Sequence, residues 1–141
     1  MWNFSSGRRR LACACSILAG LSLTACVATT PAPFTQKRVS SDALPPAARS
    51  LDVDAASSRY QGLANGMRVY LTRQTDGSGV CLVAVPESHG AVAACSATGA
   101  AVTLTVPQGE LRFHNDGFGE AEGAGDKVSD YVRYSPVVSG D

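Results

Sequence analysis

The chain is 141 residues long, enough for one domain. Hydrophobic residues make up 45% and charged residues 17%, a globular composition that excludes a fully disordered chain. The formal charge of zero hides a split: Arg8, Arg9 and Arg10 are the only charges before Cys26, and without them 9 basic residues face 12 acidic ones, a net of −3. A mildly acidic domain lacks the basic face that phosphate neutralisation requires, so no nucleic-acid partner is expected.

The three arginines open a targeting segment. Leu11 to Leu23 is an apolar run behind a positive start, as in a secretory signal peptide. It is shorter than the roughly 20 residues a membrane helix needs. Leu23-Thr24-Ala25-Cys26 follows. This resembles the lipobox of bacterial lipoproteins: an aliphatic residue, two small residues, then the cysteine whose sulfur accepts diacylglycerol. The resemblance implies residues 1–25 as a cleaved signal peptide and a diacylated, palmitate-bearing Cys26. The chain would then be held on the extracytoplasmic face of the cell membrane. Two acyl chains anchor stably where one binds only marginally. An ordinary signal peptide with an incidental cysteine is the alternative, and the arginines suit Sec export or the twin-arginine route. No later apolar run is long enough to cross a bilayer.

Residues 26–57 read as a lipid-anchored flexible linker. Pro31, Pro33, Pro45 and Pro46 alternate with small polar residues, which bury little and resist helix. From Ser58 the pattern turns to β, and residues 58–141 are expected to form a small β-domain. Asn65-Gly66 signals a type I′ hairpin before the β-branched and aromatic run Met67 to Arg73. Asp76 to Gly79 is a turn. Val80 to Val85 is a continuous apolar run, as expected of a central strand covered on both faces. After the turn Pro86 to Gly90 the chain returns through Ala91 to Cys95. Val102, Leu104 and Val106 alternate with Thr103 and Thr105, so the valines and the leucine face a core. Leu111 and Phe113 point inward, with Arg112 and His114 outward. Asn115 to Gly125 reads as a Gly-rich acidic loop, and Tyr131 to Tyr134 as a last strand. Short strands joined by short turns predict a mainly β protein, an antiparallel meander forming a sandwich or partly open barrel.

Cysteine usage supports export. Cys13 and Cys15 lie in the signal peptide and Cys26 in the lipobox, leaving Cys81 and Cys95 as an even pair. With Ser88 at the turn centre, Val85 faces Ala91, Val83 faces Ala93 and Cys81 faces Cys95. Opposed residues lie about 4.5 to 5.5 Å apart at Cα, a separation that a disulfide spans. A staple is what so small a β-domain needs.

The residues offer little chemistry. Cys81 with His89 or His114 has the types for a nucleophile and its base, but the disulfide consumes the thiol. Two histidines and two cysteines lack metal-ligand spacing. Asp116, Glu120, Glu122 and Asp126 offer hard oxygens for calcium on a flexible loop. The loop departs from the EF-hand pattern, with Phe118 at its third position and Lys127 where a bidentate Glu belongs. Gly77-Ser78-Gly79 is not a hydrolase elbow, and no phosphate-binding glycine motif points to a cofactor. Tyr60, Tyr70, Tyr131 and Tyr134 could line a binding face or sit in the core.

The mature part also resembles small exported actinobacterial proteins without an assigned activity. The residues that carry this are Ser58-Arg59, Gly66, Tyr70, Arg73, Val80-Cys81-Leu82-Val83 and Cys95, about the middle third of the chain. It implies no catalytic residues. The sequence thus points to a membrane-anchored lipoprotein that acts as a binding or envelope-associated module. A small extracytoplasmic enzyme and a purely structural spacer are the alternatives.

Overall fold

Alternation of large apolar and polar side chains gives strands with one buried face, and this pattern organises most of the molecule. The structure, a computed structural model, describes residues 31–97, 100–118 and 125–138. It is mainly β. The strands are β1 (Asp54–Ala64), β2 (Met67–Arg73), β3 (Gly79–Val85), β4 (Val92–Ala97), β5 (Val102–Val106), β6 (Gly109–Phe113), β7 (Asp126–Lys127) and β8 (Val132–Pro136). They form two four-stranded antiparallel sheets, one ordered β1-β2-β3-β4 and the other β5-β6-β8-β7. The first sheet is a pure meander. The second departs from one, because β7 takes the edge and β8 returns to pair between it and β6.

The sheets face each other as a sandwich. Met67, Val69 and Leu71 of β2, with Val80, Leu82 and Ala84 of β3, meet Val102, Leu104, Val106, Leu111, Phe113, Val132 and Tyr134. Leu71, Leu82, Leu111 and Phe113 are fully buried. Each such side chain contributes about 1.5–3 kcal/mol of transfer free energy. The expected inward set of β5 and β6 holds, with Thr103, Thr105 and Arg112 exposed. His114 does not point out. It is half-buried, with its ring 4.3 Å from that of Phe118. The last strand begins one residue later and ends two residues later than the expected Tyr131 to Tyr134, so Tyr131 lies just before it.

All seven residues of β3 are buried. The second face of its sheet carries Tyr70, Cys81, Val83 and Val85, and Leu44, Ala48 and Val53 cover them. The segment expected to be a free linker up to residue 57 is therefore docked from Pro31 onward, and β1 starts at Asp54 rather than Ser58. Leu44, Ala48 and Val53, with the half-buried Phe34 and Leu51, hold the segment, and polar groups fix the path between them. A helical turn (Ala32–Thr35) and two 3-10 turns (Ser40–Asp42, Pro46–Ala48) shape the segment. Asp42, buried, accepts the backbone N–H of Val39 and of Tyr60, each at 2.8 Å. Arg38 donates to Ala55 O and Ser58 Oγ, and Arg59 donates to Phe34 O and Gln36 O. These bonds tie the segment to the irregular part of β1, where the β1–β2 register shifts between Asp54 and Arg59 and again between Tyr60 and Gly62.

The turns match their residues. Asn65 and Gly66 both have positive φ, 46° and 78°, as a type I′ hairpin requires. Cys81 pairs with Cys95 and Val83 with Ala93. The expected Val85–Ala91 pairing falls just past the end of the ladder, at Ala84–Val92. The Cys81–Cys95 disulfide joins directly opposed residues whose Cα atoms are 4.0 Å apart. Cys81 is buried, while Cys95 is exposed on the edge strand β4. Among the described residues no helix is long and apolar enough to cross a membrane.

Candidate functional site

The tip of the β1–β2 hairpin stands at one end of the sandwich. Phe34 lies at the other, beneath the guanidinium of Arg73, 5.4 Å from its ring centre. Six strand steps along β2 separate Arg73 from Met67, or about 20 Å. Three depressions lie along this hairpin, two of them at its tip. One, of about 300 Å³, is lined by Ser40, Ser41, Ala43, Tyr60, Arg68 and Tyr70. A second, of about 190 Å³, includes Asn65, Gly66, Glu87, Ser88 and Gln108. A third, of about 280 Å³, includes Leu63, Asn65, Lys127 and Tyr134.

The first depression is built by strand periodicity. Arg68 and Tyr70 are two residues apart on β2 and so share a face, and Tyr60 is directly opposed to Tyr70 on β1. The two rings lie 5.3 Å apart at an interplanar angle of 55°, a tilted contact within the range of aromatic pairing. Val39 to Ala43 crosses this face, held by the Asp42 carboxylate, and sets Ser40 and Ser41 opposite Arg68. The result is a notch walled by two phenols, two serines and a guanidinium.

Arg68, in the notch, joins no ion pair among the described residues, and neither do the exposed Lys37 and Arg49 elsewhere. The ion pairs among the described residues are Arg112–Glu110 and Lys127–Asp130. Arg38 donates to Ala55 O and Ser58 Oγ, Arg59 donates to backbone carbonyls that include Phe34 O and Gln36 O, and Arg73 and Arg133 lie over the rings of Phe34 and Phe118. Arg68 has none of these partners and is exposed.

The second depression holds a hydroxyl–imidazole contact. Ser88 Oγ and His89 Nδ1 are 2.9 Å apart on the exposed β3–β4 turn. No carboxylate orients the other ring nitrogen of His89 among the described residues, so the pair lacks the third group of a triad. In the same depression the buried Gln108 Oε1 has no hydrogen-bond partner among the described residues.

The other residues singled out by sequence fall as follows. Cys81 and Cys95 form the disulfide. Cys26, Glu120 and Glu122 lie outside the described residues, and Asp116 and Asp126 are exposed. Among the described residues no three His, Cys, Asp or Glu side chains gather closely enough to hold a metal ion. Tyr134 belongs to the core, its hydroxyl donating to Gln108 O at 2.7 Å, and Tyr131 packs beside it at half exposure. Tyr60 and Tyr70 alone of the four tyrosines reach the notch. Sequence reasoning missed Arg68, Ser40 and Ser41. The alternation of Arg68 with Tyr70 was a usable signal, whereas the serines lay in a stretch that reads as linker. The chain matches no family model, no curated protein and no solved structure.

Proposed function

We propose that the chain is an exported lipoprotein, anchored through diacylated Cys26 on the extracytoplasmic face of the cell membrane, that presents the hairpin end of its sandwich as a binding module. One observation carries the anchoring: a cationic start, an apolar run and the lipobox Leu23-Thr24-Ala25-Cys26 occur in that order with the spacing that processing requires. The Cys81–Cys95 disulfide agrees with an oxidising compartment. The depressions along the β1–β2 hairpin, two of them at its Asn65-Gly66 tip, favour binding over a purely structural role.

Mass spectrometry of the protein purified from its native membrane tests the anchoring. The expected species begins at Cys26, carries the mass of the acyl groups and lacks two hydrogens at Cys81 and Cys95. Cys26→Ser should release the chain from the membrane fraction. Recovery of a chain that retains Met1 and free thiols would overturn the proposal.

A further inference from the structure

We infer that the notch between Val39–Ala43 and the hairpin is a binding site for a small oxyanion, a carboxylate or phosphate group on a compact polar body. The inference rests on the reading of the hairpin end as the binding end and names its ligand class. Arg68 supplies an always-charged, planar fork of donors, the geometry that pairs two oxygens of such a group at once. It is exposed and joins neither of the ion pairs of the described residues, so an incoming anion displaces no carboxylate among them. The hydroxyls of Ser40, Ser41, Tyr60 and Tyr70 can each donate or accept, which suits the remaining oxygens of the anion and the hydroxyls of its carrier.

Size and rigidity narrow the ligand. The notch is about 300 Å³, at the lower end of small-molecule sites. It admits a headgroup or one ring, not an extended polymer. Its walls are preorganised: Tyr70 is 2% exposed and locked in the sheet, and Asp42 fixes the serine-bearing turn through two backbone bonds. A neutral ligand would leave Arg68 unused, and a cation would meet it head-on.

NMR titration of the isotope-labelled full-length protein in detergent tests this. Glucuronate and glucose 6-phosphate serve as anionic probes, with glucose as the neutral control. A parallel arm uses vesicles with and without phosphatidylglycerol, which separates a soluble anion from a lipid headgroup. The expected result is saturable shifts of Arg68, Tyr60 and Tyr70 with either anion below about 10 mM, none with glucose, and at least about tenfold weaker binding in Arg68→Gln. Arg68 is exposed, so that variant keeps its fold, which its unshifted core resonances will verify. Tyr60→Phe, which keeps the ring, should weaken binding less. Response to the vesicle arm alone assigns the site to a headgroup and keeps the proposal. Equal binding of glucose, or shifts spread over all cations and unchanged in Arg68→Gln, overturns it. Saturable shifts confined to Ser88 and Gln108 would overturn this site while leaving the hairpin end as the binding end. No saturable shift anywhere would overturn both, without touching the acyl mass that decides the anchoring.

Discussion

The carboxylate of Asp42 accepts the backbone N–H of Tyr60 at 2.8 Å, tying a proline-flanked segment to the strand that carries the notch. The same carboxylate accepts Val39 N–H across its own 3-10 turn. Asp42→Ala would leave two N–H groups without partners beneath the segment. Hydrogen bonds to a charged acceptor contribute about 1.5–3 kcal/mol each, so a loss of about 3 kcal/mol is expected. Asp42→Asn, which retains one acceptor, should lose about half as much. Urea denaturation midpoints at unchanged slope measure both, and an Asp42→Ala chain as stable as the parent would deny the carboxylate this role.

Thr72 is fully buried on the covered face of the first sheet, and its hydroxyl finds no partner there. Thr72→Val keeps the shape and removes the stranded polar atom. The variant should be more stable by about 1 kcal/mol, because an unsatisfied buried hydroxyl costs about 1–3 kcal/mol. A lower melting temperature would show that the hydroxyl is satisfied in solution.

Gly62 and Gly66 both hold positive φ, 141° and 78°, but in different surroundings. A Cβ on Gly66 would meet nothing within 4 Å, so Gly66→Ala suffers backbone strain alone, about 1 kcal/mol. A Cβ on Gly62 would lie 2.9 Å from Val128 O, so strain and collision add. Gly62→Ala should cost more than twice as much as Gly66→Ala in chemical denaturation, and equal costs would refute the assigned contact.

The disulfide closes a loop of sequence separation 14. Chain-entropy reasoning gives about 3 kcal/mol for a loop of this size. Cys81→Ala/Cys95→Ala should lose about that much and keep its strand content by circular dichroism. Unchanged stability would mean that the β3–β4 register holds without its staple.

Two carboxylates titrate low. The Ser78 side chain, then its backbone N–H, hydrogen-bonds Asp76 and holds its carboxyl below the ordinary value, and the Lys127 ammonium does so for Asp130 by hydrogen bond and charge. A carboxylate depressed in the folded state adds stability that is full above its unfolded pKa, about 3.9. That stability is lost as pH falls through the folded value. Both groups are exposed, so the effect is small and confined to acid below about pH 4. Carboxyl NMR titrations should place both midpoints low. Ser78→Ala should raise Asp76 and Lys127→Gln should raise Asp130. Salt should weaken the Asp130 shift more than the Asp76 shift, since charge is a cause only for the former.

Where local chemistry dominates, the sequence is readable. Asn65-Gly66 can do little but turn, the alternation from Val102 to Val106 can bury only one face, and the apolar run of β3 needs two covers. The opposition of Cys81 and Cys95 followed from turn arithmetic alone. The docked segment was not readable, because Leu44, Ala48 and Val53 follow no period and Asp42 looks like any surface acid. Its burial depends on bonds to a strand irregularity far along the chain, which no window of sequence contains. The notch inherits that difficulty: its tyrosines were named as possible binding residues, but one wall comes from residues that read as linker.

The docking of Pro31 also sets a length. With Cys26 acylated as proposed, at most five residue steps separate the fatty chains from the buried Pro31. Fully stretched, they reach about 18 Å. A free coil of the 32 residues from 26 to 57 would instead roam over about 30 Å. Such a protein rides close above its own leaflet on a short stem, its hairpin tip aimed outward, and samples the thin layer beside the bilayer rather than the breadth of the compartment.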